Sequence, residues 1–405
     1  MASLVPFHAL RPTPAAAADV AAVPYDVVSA QEARALADGH PLSFLHVSRA
    51  EIDLPAETDP YSEAVYQKAS ANFTRLKERA PLILEDTPSL YVYRLHMGDH
   101  VQTGVAGTFS IDEYERAVIK KHERTRRDKE DDRTRHMIDL RAQTGPVFLT
   151  YRAVGAIDAI VEQVTRDKPL FDFVAADAVR HVIWRAGKDD LRSLVNAFGG
   201  IGALYIADGH HRAASAARAR QQLRGSAGAS GDWDTVLAVA FPDNQMQILP
   251  YNRVVKDLGS HTPQSLLATL RERFAVGRGP ATPRRQGEVA MFLDGDWYTI
   301  ELGLAPADRE AADRLDVSRL QDLVLTPLLG IGDVRTDKRI DFVGGARGTS
   351  ELESLVRSGK AAVAFSMYPV SVDDLMQISD SGGIMPPKST WFEPKLRDGL
   401  LSHVI

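Results

Sequence analysis

Short apolar runs separated by polar, glycine- and proline-bearing stretches recur along the whole chain, and their period sets the element each predicts. In the first 60 residues, Val23–Val28 (VPYDVV) and Ser43–Ser48 (SFLHVS) read as strands on either side of a helix. Ser29 supplies that helix with an N-cap, Glu32 stands three residues on, and Gly39 marks its far end. A second helix is predicted over Tyr61–Arg79, a strand over Ser89–Leu95, and a long charged helix from about Asp112. Thr144–Arg152 reads as a strand, Val154–Asp167 as a helix, Ala178–Ala186 as a strand and Asp189–Gly199 as a helix. Leu204–Gly209 is a buried strand running into an alanine-rich helix, His210–Gly225, and Gly225–Trp233 is a loop of small residues. Thr235–Pro242 and Gln245–Val255 read as two strands of a hairpin. After Asp257–Thr262 come a helix (Pro263–Phe274), the paired strands Val289–Gly295 and Trp297–Leu302, and a helix over Thr349–Gly359. Helices and strands interleave throughout, which predicts a mixed α/β (α+β) fold. The expected division is an N-terminal domain over 1–257 and a C-terminal one over 258–405.

Composition narrows the function. The length of 405 residues suits two or three domains. The chain has no cysteine, which excludes a thiol nucleophile, a thiolate zinc site and an iron–sulfur cluster. The net charge of −6 argues against a nucleic-acid partner. No stretch approaches 18 uninterrupted apolar residues, so no membrane span is expected. The opening residues have no basic run and are broken by Pro12, Pro14 and Asp19, so the expected location is the cytoplasm. No Walker, dinucleotide or GxSxG pattern occurs.

Four segments carry candidate chemistry. In LYIADGHHRAASAARAR (Leu204–Arg220) a strand runs into Asp208 and Gly209, and His210, His211 and Arg212 fall in the first turn of a helix. The unpaired N–H groups and positive dipole end of that turn form an anion site, and two imidazoles and a guanidinium beside it suit phosphate oxygens or proton transfer. The plainer reading makes Asp208 a helix cap and puts the histidines at a domain contact. Adjacent histidines point apart on a helix, so no metal site is expected from them.

KKHERTRRDKEDDRTRH (Lys120–His136) has 13 charged residues, eight basic and five acidic. At 100° per residue, His122, Thr125, Arg126, Lys129, Arg133 and His136 share one acid-free stripe. Three of the chain's 12 lysines lie in this run. Its plainer reading is a solvated, salt-bridged helix. SGGIMPPKSTWFEPK (Ser381–Lys395) is loop chemistry around Lys388 and Trp391, or else an arm packed by its aromatics. Asp26, after Tyr25, is a base or a cap.

Taken together, VPYDVV, IKKHERTRRDKEDDR, TGPVFL, LYIADGHHRAA and MPPKSTWFEPK occur in the order seen in the DUF1015 family, and the chain resembles it from about Leu4 to Leu400. That family is similar in turn to the ParB/sulfiredoxin-like group. This resemblance implies a ParB/sulfiredoxin-like core with large additions and nucleotide phosphates bound at Asp208–Arg212. One branch of the group consists of free-serine kinases. Sulfiredoxin chemistry is excluded by the absent cysteine. The resulting expectation is a small-molecule kinase that moves a phosphoryl group from ATP or ADP, with Mg²⁺, to a hydroxyl metabolite, free serine first. The alternatives are a phosphatase acting on phosphoserine or a similar monoester, and a non-catalytic nucleotide- or phosphometabolite-binding regulator. His210 or Asp26 would be the base, beside Asp208. Gly209, His211, Arg212, His122, Arg126, Lys129 and Arg133 would hold phosphates, and Tyr25, Lys388 and Trp391 the substrate. Oligomeric state stays open.

Overall fold

The computed structural model describes residues 1–79, 82–227 and 230–405. Positions 228 and 229 of the small-residue loop expected over Gly225–Trp233 lie outside the described residues. The chain is mixed α/β and divides into two units, Met1–Met246 together with Pro394–Ile405, and Gln247–Glu393. The expected boundary after Asp257 therefore gives way to an earlier one, and the last twelve residues return to the first unit. Backbone pairing is the physical reason. Tyr251–Val255 is laddered into the second unit's sheet, whereas Ser402–Val404 pairs with Ala9–Arg11 and Ala142–Gln143 of the first.

The first unit is built on a nine-stranded mixed sheet. Its strand order is Ile119–Lys120, Leu204–Asp208, Val147–Tyr151, Thr235–Pro242, His100–Ser110, Tyr91–Met97, Arg180–Arg185 and Phe171–Val174, with Leu4–Val5 paired to His100–Ser110. Every residue of Val147–Tyr151 is buried, as a central strand covered on both faces requires. The helix His210–Ala227 lies against this sheet, and its buried Ala213, Ala216 and Ala217 are small enough to let its backbone approach the strands Val147–Tyr151 and Thr235–Pro242. Among the described residues no helix is long and apolar enough to cross a membrane.

A second core of this unit gathers Val20, Phe44, Leu45, Val47, Phe73, Leu76 and Leu140. Here two expected strands are absent. Ser43–Ser48 contributes a one-turn helix, Leu45–Ser48, and Tyr25–Val28 is a turn. Short apolar runs are consistent with either element, and packing against the helix Glu63–Arg79 decides this one. The capping box expected at Ser29 and Glu32 forms, and starts the helix Ala30–Ala37.

The expected hairpin of Thr235–Pro242 with Gln245–Val255 does not form. The first of these strands pairs with His100–Ser110 and Val147–Tyr151. The other divides around Pro250, which has no N–H to give to a ladder, into Gln247–Leu249 and Tyr251–Val255. Gln247–Leu249 pairs with Trp391–Glu393, so the two ends of the second unit meet in one ribbon. The body of that unit is an antiparallel six-stranded sheet ordered Ala275–Arg278, Asp296–Glu301, Glu288–Leu293, Val363–Ser366, Tyr251–Val255, Ile340–Gly344. Leu352, on the helix Gly348–Arg357, packs on Val254, Phe292 and Ala364.

The returning C-terminal segment is fixed at Gly399. Its φ is +85°, and an added Cβ would stand 2.5 Å from Phe44 Cδ2. Gly399→Ala is therefore expected to cost about 1–3 kcal/mol, as overpacking of a full core does, measured by urea unfolding. A loss under about 0.5 kcal/mol would show that the segment is not held there.

Candidate functional site

The strand Leu204–Asp208 ends in a carboxylate because the chain must turn there. Gly209 has φ +93°, and the helix begins at His210. The Gly209 N–H donates back to Asp208 Oδ1 at 2.8 Å. Lys395 Nζ donates to Asp208 Oδ2 at 3.0 Å, and Arg212 Nη2 stands 3.6 Å from the same oxygen. Burial pushes the Asp208 carboxyl up, but Lys395, Arg212 and these hydrogen bonds outweigh it and hold the group well below the usual carboxylate range.

Arg212 organises the rest. It is buried, it donates to the Pro146 carbonyl, and its Nη2 lies 3.8 Å from Asp26 Oδ2. Burial opposes its charge, yet Asp26, Asp208 and Asp398 raise its pKa. Its Nε is buried and has no hydrogen-bond partner among the described residues. A Cβ at Gly209 would come within 3.0 Å of that nitrogen, so only glycine keeps this approach open.

His210 and His122 form an edge-to-face pair, with ring centroids 4.4 Å apart. The His122 N–H donates to His210 Nε2 at 3.4 Å, which puts the His210 proton on Nδ1, 3.9 Å from Glu123. Both rings are neutral. Burial lowers the pKa of His122 to about 4, and burial with the neighbouring His122 lowers that of His210 well below the usual imidazole range. His211 Nε2 accepts the Arg126 N–H at 3.0 Å. The two histidines thus grip the segment 122–126 by its backbone.

That grip explains a correction to the charged run. It is not one helix. Ile111–Glu115 is a short helix, Ala117 turns the chain at φ +58°, and Ile119–Lys120 is a strand parallel to Leu204–Tyr205. The helix runs only over Arg127–Leu140. His122 and Arg126 therefore reach the turn from an extended segment, not from a helical stripe. Arg126 is exposed and pairs with Asp128 at 2.7 Å. Lys129, Arg133 and His136 do share a face of the helix, and that face is turned onto protein. Lys129 Nζ donates to Tyr61 Oη at 2.8 Å, Arg133 lies 4.2 Å over the Tyr25 ring and pairs with Asp132, and His136 bonds the Val47 carbonyl.

Tyr25 is buried, and burial with the neighbouring Asp26 raises its phenol above the usual value. Asp26 is exposed at the turn beyond it. Lys388 and Trp391 belong to the second unit, where Lys388 Nζ lies 5.3 Å from the Tyr251 ring centroid and Trp391 packs edge-on to Tyr251.

Two site residues escaped the sequence reading, Lys395 and Asp398, both on the returning segment. Lys395 closes the motif around Lys388, and the rarity of lysine, 12 in 405 residues, was a signal that could have found it. Asp398 is bridged to Ala22 through the backbone and is buried beside Gly145. Burial pushes its carboxyl up to about 7, with Asp26 adding to the effect while Arg212, Arg133 and the Tyr25 N–H oppose it. A carboxyl raised in the folded state is stabilising below its unfolded pKa, and the benefit is lost as pH rises through the folded value. Stability should therefore fall between about pH 4 and 7 from this group. Asp398→Asn is expected to flatten the difference in urea midpoint between pH 5 and pH 8. An unchanged difference would contradict the assignment.

Comparison with solved structures finds low-identity likenesses. A free serine kinase in complex with AMP matches 73% of this chain and 92% of its own, at 14% identity and TM-score 0.36. SbnI with a C-terminal truncation, from Staphylococcus aureus, matches 74% of this chain and 87% of its own, at 13% identity and TM-score 0.39. A conserved hypothetical protein from Pyrococcus furiosus matches 74% and 95%, at 15% identity and TM-score 0.36. Among curated proteins no match was found. The family described as protein of unknown function DUF1015 matches residues 4–318. With more than three quarters of its length matched, and with the Asp208–Arg212 turn, the 122–126 segment and the Tyr25–Asp26 turn gathered within that span, the chain belongs to the DUF1015 family.

Proposed function

We propose that this protein is a nucleotide-dependent kinase for a small hydroxyl metabolite, with free serine as the first acceptor. The observation that carries the reading is the exposed Asp26 carboxylate held 3.8 Å from a buried guanidinium at a helix N-terminus. Phosphoryl transfer is chiefly positioning and charge neutralisation, with one base for the acceptor. Arg212 and the first-turn amides of His210–Ala227 hold phosphate oxygens. The partnerless Arg212 Nε beside Gly209 fits an oxyanion.

Asp26 takes the acceptor hydroxyl proton. His210 is the poorer base, because its Nε2 lone pair already accepts the His122 N–H. His210 and His211 position the 122–126 segment, which brings Arg126 to the lip of the site. Lys395 keeps Asp208 ionised, so that Arg212 is held from two sides. The nucleotide, when bound, supplies the phosphoryl group, and its Mg²⁺ offsets the phosphate charge. Among the described residues no three His, Cys, Asp or Glu side chains gather to hold a metal, so the ion fits as a companion of the nucleotide rather than in a protein cage.

Incubation with ATP, ADP or pyrophosphate and a panel of hydroxyl metabolites including serine, read by ³¹P NMR, tests the reading. A new phosphomonoester supports it. Free phosphate released from phosphoserine would make the site a phosphatase, and line broadening without turnover would make it a binding regulator.

A further inference from the structure

Among the described residues no carboxylate pairs with one guanidinium that the second unit buries. Arg253 lies on the strand Tyr251–Val255, is only 4% exposed, and donates to the backbone carbonyls of Tyr251 and, at 3.1 Å, Lys388. Its guanidinium carbon is 5.6 Å from the Phe342 ring centroid. Among the described residues none forms an ion pair with it, and burial lowers its pKa to about 10 with only the Tyr251 phenol opposing. A buried cation satisfied by neutral carbonyls alone is costly, and groups perturbed in this way gather at functional sites.

The carbonyl that Arg253 holds belongs to a residue of unusual shape. Lys388 has φ +58°, a conformation L-residues other than Asn and Asp seldom adopt, on a loop of Pro386, Pro387 and Lys388. Strain of this kind gathers at binding sites. The Lys388 side chain is exposed, and its ammonium lies over the ring of Tyr251, which also abuts Trp391 at 5.1 Å and Phe342 at 6.0 Å. The nearby acid, Glu393, accepts the Trp391 indole N–H at 2.8 Å. One buried and one exposed cation therefore meet at a single corner floored by aromatic rings.

We propose that this corner of the second unit, Arg253 with Lys388 over Tyr251, is a binding site for a small oxyanion, the phosphate or carboxylate of a metabolite. It is separate from the Asp208–Arg212 turn in residues and in role. Arg253 supplies the fixed planar donor and Lys388, over the Tyr251 ring, a point charge. The adjoining rings suit a ligand with a flat apolar part.

The full chain labelled with 5-fluorotryptophan gives a test, since it has four tryptophans and Trp391→Phe identifies the reporting signal. Inorganic phosphate and acetate are titrated separately. The expected result is a saturable shift of the Trp391 signal with at least one of them, phosphate alone marking a phosphate site and acetate a carboxylate site. The shift should persist in Arg212→Met, which disables the first-unit site. It should need about tenfold more anion in Lys388→Ala, as loss of a charge-assisted hydrogen bond implies. Arg253→Gln should abolish it. If that variant does not fold, the exposed Lys388→Ala decides alone. No saturable shift with either anion, or a shift indifferent to Lys388→Ala, overturns the proposal. Neither outcome touches the turnover measured by ³¹P NMR.

Discussion

Asp26→Asn is expected to lower turnover by about 10²- to 10⁴-fold, the range for a lost general base. Nucleotide affinity should change less than about threefold, because the phosphate contacts belong to Arg212 and the helix amides. The substitution is nearly isosteric and the residue is exposed, so the fold should be kept. A second signature separates this from a generic loss. Asp26 is one of the groups that raise the Asp398 carboxyl. Removing its charge should move the Asp398 titration, followed as the pH dependence of the urea midpoint, toward lower pH. Turnover that survives Asp26→Asn within a factor of about three would place the base elsewhere.

The largest effect on stability should come from Arg212→Met. Asp26, Asp208 and Asp398 all act on this one guanidinium, and Asp208 also pairs with Lys395. Breaking a buried charge set by removing one member costs about 3–5 kcal/mol, here because Asp398 stays buried without the Arg212 charge. That loss is expected at pH 8. At pH 5 part of it should return, since Asp398, freed from the cation that lowers its pKa, takes up a proton more readily. Arg212→Lys should fall between the two, since a point charge cannot serve Asp26 and Asp208 as a planar fork does. Urea unfolding at both pH values measures this. A loss below about 1 kcal/mol at pH 8 would mean the carboxylates are solvated rather than held.

What the sequence revealed and what it hid divide along the range of the interactions. The capping box at Ser29 and Glu32, the turn at Asp208–Gly209 and the strands at Tyr91–Met97 and Arg180–Arg185 rest on neighbours a few residues away, and a residue pattern records them. The charged run misled because a 100° period presupposes an unbroken helix. The break is set at Ala117 and by pairing of Ile119–Lys120 with a strand 85 positions further on. Still, His122 and Arg126 do meet the turn, by backbone contacts that no side-chain pattern encodes. Lys395 and Asp398 are the extreme case. The bond from Lys395 to Asp208 spans 187 positions, and nothing local distinguishes that lysine beyond the rarity of its kind.

The nesting of one unit inside the other has a consequence for how the protein is made. A ribosome must complete residues 247–393 before the strand Ser402–Val404 and the Lys395–Asp398 arm exist at all. Until then the nascent first unit presents Ala9–Arg11 and Ala142–Gln143 without the strand that joins them, and Asp208 without its lysine. The second unit carries its own closure, since its first and last strands pair with each other, so it can finish folding while the first one waits. Site assembly is thereby tied to the last stretch of synthesis, and a chain stalled before Pro394 lacks both the lysine that pairs with Asp208 and the buried Asp398.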